Sequence, residues 1–120
     1  MRQITLLISL LALSLFACKG LYQEAFIKIE PDYVEVHFER MMPQTVLDKL
    51  KADLTAQNIA LEYVDVKYDG DKLNFLSFTV TYKGRVGVGT TYFVHKHPYG
   101  FIVDNRPEKP ARFLVGEILE

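Results

Sequence analysis

Three histidines are the residues in this chain best equipped to hold a metal or to move a proton. His95 and His97 flank Lys96. Two apart on a strand, they project from one face and could approach the same ion, with His37 from another strand as a further ligand. A structural zinc site needs four ligands and a catalytic one three, so a pair tied together by sequence falls short of a set. The plainer reading is surface imidazoles at a strand end that runs into Pro98-Tyr99-Gly100. Glu35 and Glu39 flank His37 on the polar side of an alternating segment. A carboxylate beside an imidazole is an acid–base arrangement. A solvated strand face has the same pattern, and nothing in the sequence predicts the desolvation that would tune these groups. We expect no catalysis, no metal and no cofactor here. A metal-binding or hydrolytic protein using His37, His95 and His97 is the alternative.

Ser77, Thr79 and Thr81 form a row of hydroxyls, but no Gly-x-Ser-x-Gly elbow accompanies any serine. Gly84, Gly87 and Gly89 resemble a phosphate loop only superficially. A dinucleotide loop must lead from a strand into a helix, and here valines and a tyrosine continue a strand. Gly87 and Gly89 instead strip one face of that strand of side chains, so that a backbone, an aromatic ring or a partner can come close. Within the aromatic group Tyr92, Phe93, Tyr99 and Phe101, Tyr99 is expected at the surface between Pro98 and Gly100. The loop carrying His95, His97 and Tyr99 is the first candidate for recognition.

Charge excludes one class of partner. The chain has 14 Lys and Arg against 15 Asp and Glu, with no basic stripe, whereas binding to phosphate backbones needs one. We expect no nucleic acid. Cys18 is the only cysteine, so no internal disulfide can form and stability must come from the core.

The first eighteen residues read as an export signal. Arg2 supplies one charge, Ile4 through Phe16 form an apolar run broken by Thr5, Ser9 and Ser14, and Ala17 is small. The run is short for a membrane-spanning helix. Leu15-Phe16-Ala17-Cys18 resembles the lipobox of bacterial lipoproteins, with Phe16 bulkier than the residue usual there. The resemblance implies cleavage after Ala17 and lipidation of Cys18. The acyl chains would hold the protein in a bacterial membrane, most simply the outer one, facing periplasm or cell surface. Each buried methylene contributes about 0.8 kcal/mol to such anchoring. Residues 1–17 are then the signal peptide and 18–25 the lipidated cysteine and tether.

These residues must be positioned by a small domain expected over 26–104. Phe26, Ile27 and Ile29 begin an extended segment, and Pro31-Asp32 marks a turn or bulge. Val34, Val36 and Phe38 alternate with Glu35, His37 and Glu39, which predicts a half-buried strand from Tyr33 to Arg40. Pro43, or a capping box from Thr45 to Asp48, starts a helix on which Val46, Leu47, Leu50 and Leu54 recur. It ends near Asn58, a residue suited to a left-handed conformation. Leu61–Tyr68 is a strand with a bulge at Tyr63–Val64. Asp69-Gly70 then predicts a hairpin into Leu73–Lys83, and Lys83-Gly84-Arg85 turns into Val86–Val94. Phe101–Val103 is a further short apolar run. Residues 105–120 read as a Pro-rich connector followed by a short strand or helix.

This order predicts an α+β domain: one amphipathic helix on an antiparallel sheet of about four strands, β-α-β-β-β, ferredoxin-like or a split α+β sandwich. The run Leu47-Asp48-Lys49-Leu50-Lys51-Ala52-Asp53-Leu54, then Asn58 to Tyr63 and the Asp-Gly hairpin, resembles a strand–helix–strand–strand module of Gram-negative envelope proteins. Tails of penicillin-sensor-type membrane metallopeptidases contain it. Asn58 stands where that module usually has glycine. No His-Glu-x-x-His signature accompanies it, so the resemblance implies a sensing or interaction module rather than a peptidase. The expected protein is a lipid-anchored envelope binding module whose partner is an envelope protein or peptide. An edge of the sheet at Gly87 and Gly89 is the second candidate contact.

Overall fold

A computed structural model describes residues 26–93 and 97–118. The chain runs β1 (Phe26–Glu30), β2 (Tyr33–Phe38), α1 (Gln44–Thr55), β3 (Ala60–Asp69), β4 (Lys72–Tyr82), β5 (Arg85–Thr91), β6 (Tyr99–Asp104) and β7 (Arg112–Glu117). It is an α+β fold with one helix and two antiparallel sheets. One sheet has the order β1-β2-β6-β7 and the other β3-β4-β5. The single sheet of about four strands expected from the sequence is therefore divided in two.

The strands follow their side-chain alternation. In β2, Val34, Val36 and Phe38 turn inward and are buried, while Glu35 and His37 lie on the opposite, half-buried face. In β4, Leu76, Phe78 and Val80 face the core and Ser77 and Thr79 do not. The helix buries Leu47, Leu50 and Leu54, three positions on one stripe. These residues join Leu61, Leu73, Phe101 and Val103 in one core shared by the helix and the inner faces of both sheets. Two tyrosines of β3 fasten the helix side of that core. Tyr63 donates its hydroxyl to the Leu47 carbonyl at 2.6 Å, and Tyr68 donates to that of Met42 at 2.6 Å. Burial pushes both phenols above their ordinary pKa, so each remains a donor.

Helix termination follows the expected device. Asn58 has φ +61°, and the Ile59 N–H returns to the Leu54 carbonyl at 3.0 Å. The start differs: Pro43 is the N-cap in extended conformation, no side chain caps the helix, and Asp48 accepts from Gln44 at 3.0 Å. The bulge in β3 is present, with the register shifting between Tyr63 and Asp65.

The two hairpin turns exchange the roles the sequence suggests. A second shift at Lys67–Tyr68 pairs Asp69 with Lys72, so the central residues are Gly70 and Asp71, and only Gly70 has positive φ. Lys83 and Gly84, at +48° and +77°, form the turn in which both central residues need it.

One further expectation is corrected, and one left open between strand and helix is decided. Tyr99 and Gly100 open β6 instead of forming a loop, because Phe38 and His37 pair with them directly. The C-terminal segment is a strand, β7, laddered to β6 from Tyr99–Glu117 to Asp104–Arg112. Residues 112–117 are thus part of the domain.

Candidate functional site

The outer face of the four-stranded sheet carries most of the polar chemistry among the described residues. Register places its side chains in rows across the strands. Glu30, Tyr33, Asp104 and Arg112 form one row, Lys28, Glu35, Ile102 and Leu114 the next, and Phe26, His37, Gly100 and Gly116 the third.

A hydrogen-bonded chain runs along β2 through these rows. The His37 Nε2 lies 2.5 Å from Glu35 Oε2, and the Tyr33 hydroxyl donates to the other carboxylate oxygen. Phe26 packs against the imidazole with ring centroids 5.0 Å apart. Burial, reinforced by the hydrogen bond to Glu35 and by its charge, pushes the Tyr33 phenol up to about 12. Glu35 thus orients an imidazole, as a general base is oriented. Among the described residues, no nucleophilic side chain hydrogen-bonds to that ring.

At the far end of the face stands Asp104, its side chain 4 % exposed. It accepts from Arg106 Nε at 3.0 Å and from Nη2 at 2.9 Å, and the Arg106 backbone N–H adds a third bond at 3.1 Å. The guanidinium also lies over the Tyr33 ring, 4.3 Å from its centroid. The fork geometry suits arginine, since two parallel bonds to a carboxylate fix the plane of the group. The Arg106 hydrogen bonds, followed by the charges of Arg106 and Arg112, hold the Asp104 carboxyl down to about 2 against the opposing effect of burial.

That depression makes a pH prediction. The ordinary value is 3.8, so the contribution of ionised Asp104 to stability is complete above about pH 4 and is lost as pH falls towards 2. Asp104→Asn should lower the denaturation midpoint at pH 6 and lose less on acidification. Urea titrations of both proteins from pH 6 to pH 2 check this. Parallel acid limbs would show that Asp104 does not contribute to the acid sensitivity.

The remaining candidates are placed as follows. His37 lies on the polar face of β2 with Glu35. His97 is exposed, and His95 lies outside the described residues. Among the described residues no group of three His, Cys, Asp or Glu side chains is placed to hold a metal. Tyr99 is not a surface residue. It is half-buried, edge-on to Phe78 at 6.4 Å, and its hydroxyl accepts from the Thr90 N–H at 2.9 Å. A tyrosine at the start of a strand can carry its ring into the core while the hydroxyl reaches a backbone donor.

Gly87 and Gly89 do free one face of β5, and it is the inner face. A Cβ on Gly87 would lie 2.3 Å from Val115 Cγ2, and one on Gly89 would lie 2.5 Å from the Phe78 ring. The close approach that the glycines permit is made by this chain itself. The valines that alternate with them face outward, Val86 at 64 % and Val88 at 65 % exposure, and β5 ends its sheet.

The residues that sequence reasoning missed are Tyr33, Asp104, Arg106 and Arg112. Asp104-Asn105-Arg106 carried a usable signal, an acid and a base two apart beside a predicted strand end. Cys18 lies outside the described residues, and no helix among those described is long and apolar enough to cross a membrane.

Fold and face together define a single-helix, two-sheet α+β domain with a polar sheet face. Comparison with protein-family models, with curated proteins and with solved structures finds no significant match in any of the three.

Proposed function

We propose that the protein is a non-catalytic binding module of the bacterial cell envelope, held to a membrane by acyl chains on Cys18. The observation that carries this reading is Leu15-Phe16-Ala17-Cys18 at the end of an apolar run. It lies only a few residues before the first strand at Phe26. The likeness of the helix–hairpin stretch to an envelope interaction module supports it. So does the edge position of β5, which presents Val86 and Val88 to solvent and could receive an extended peptide from an envelope protein.

The test is the intact mass of protein extracted from the membrane fraction. The expected species begins at Cys18 and carries acyl chains, and Cys18→Ser should leave it unprocessed and unacylated. A mature chain beginning elsewhere, without lipid, overturns the anchor. For the β5 contact, a photo-crosslinking residue at Val88 should capture an envelope protein that the same residue at Val64, on the other edge strand, does not. Equal capture from both positions removes β5 from the reading.

A further inference from the structure

A cleft of about 610 Å³ opens at the Asp104 end of the four-stranded sheet, between the sheet and the connector from β6 to β7. Its volume falls within the range of small-molecule sites. Tyr33, Pro110 and Ala111 supply apolar wall, and Arg106, Lys109 and Arg112 bring three cations against a single carboxylate, Asp104. We propose that this cleft binds a small organic oxyanion, a carboxylate or a phosphate.

Arg106 carries the argument. Its guanidinium is gripped along one edge by a buried carboxylate and lies over an aromatic ring, so its plane is fixed before any ligand arrives. A guanidinium has five N–H donors, and Asp104 takes two of those bonds. The others have no partner among the described residues, and the side chain is 39 % exposed. A planar donor set held rigid at the rim of a cleft favours a planar or tetrahedral oxyanion, because little ordering is left to be done on binding.

Lys109 adds the second element. Its ammonium has no acidic partner among the described residues, while Lys28, Lys49, Lys51 and Lys67 are all paired. Asp104 offsets Arg106, and Lys109 adds a positive charge to the lining that no acidic side chain pairs among the described residues. Glu108 is near enough to Arg106 to act on it electrostatically, but it does not line the cleft. The sheet register also puts this row at the opposite end of β1 from Phe26, about 13 Å along the strand, so the cleft points away from where the chain enters the domain. The site does not depend on how the chain is anchored.

The experiment is a titration of the full chain in detergent, followed by amide NMR, with sodium succinate and inorganic phosphate as separate probes. Sodium chloride at matched ionic strength is the control. The expected result is saturable shifts at Tyr33, Arg106, Lys109 and Ala111 with at least one probe. Lys109 is an exposed residue, so Lys109→Glu should leave the spectrum of the core unchanged, and it should weaken binding about tenfold, the effect of one charge-assisted contact. Saturation by succinate alone assigns a carboxylate ligand, by phosphate alone a phosphate, and by both a general oxyanion site. No saturation, shifts equal to those with chloride, or affinity unaltered by Lys109→Glu would overturn the proposal.

Discussion

Gly100→Ala is expected to lose about 3 kcal/mol or more of stability, for a change of one methyl group. The added Cβ would lie 1.8 Å from the Val36 carbonyl oxygen and 2.8 Å from its carbon. These are backbone atoms of the neighbouring strand, so no rotamer change can make room, and β2 and β6 must separate. Domains of this size have total stabilities of about 5–15 kcal/mol, so the loss would be visible as a large fall in the urea midpoint. Gly70→Ala is the comparison. Gly70 has φ +63° with nothing within 4 Å of its Cβ position, so only conformational strain of about 1 kcal/mol is at issue. If the two variants were equally mild, the close approach at Gly100 would be wrong.

Phe78→Ala should cost about 3–5 kcal/mol, the range for emptying a buried aromatic site. Phe78 is wholly buried and touches Phe38, Tyr99 and Phe101, with ring centroids at 4.9, 6.4 and 6.3 Å. It joins the two sheets across the core. Its ring also occupies the space beside Gly89, where a Cβ would meet Cζ at 2.5 Å. A sharper experiment follows from that contact. Gly89→Ala and Phe78→Leu should each destabilise, while the double variant should cost less than their sum, because leucine lacks the ring atoms that clash. A coupling of about 1 kcal/mol is expected from residues in direct contact. Strict additivity in denaturant titrations would refute the packing described.

Much of the local structure can be read from residue spacing. Val34, Val36 and Phe38 announce a strand, Leu47, Leu50 and Leu54 a helix, and Asn58 its end, because each of these patterns depends on near neighbours. Pairing between distant segments leaves no such trace. The split into two sheets depends on Tyr33 meeting Asp104 across some seventy residues, which no periodicity encodes. Tyr99 was misplaced for the same reason. Proline and glycine on either side suggest a loop, and only the ladder to Phe38 makes it a strand. The Gly87 and Gly89 face is apparent in sequence as a gap, but its occupants, Val115 and Phe78, are supplied by tertiary structure. The cleft joins Tyr33 of β2 to the single stretch from Asp104 to Arg112, where Arg106, Lys109 and Arg112 recur three residues apart, too thinly to read as a basic patch in sequence.

The two sheets have different histories within a growing chain. The helix and β3-β4-β5 are contiguous from Gln44 to Thr91 and close through short turns, so this part can collapse as soon as it exists. The other sheet is made, among the described residues, from the first two strands and the last two. During synthesis β2 must wait for β6, and closing so long a loop is entropically costly and slow. Until then Val34, Val36 and Phe38 are uncovered, and β2 has an open edge. The arrival of Tyr99 to Ile118 therefore controls when this protein stops being a liability to itself.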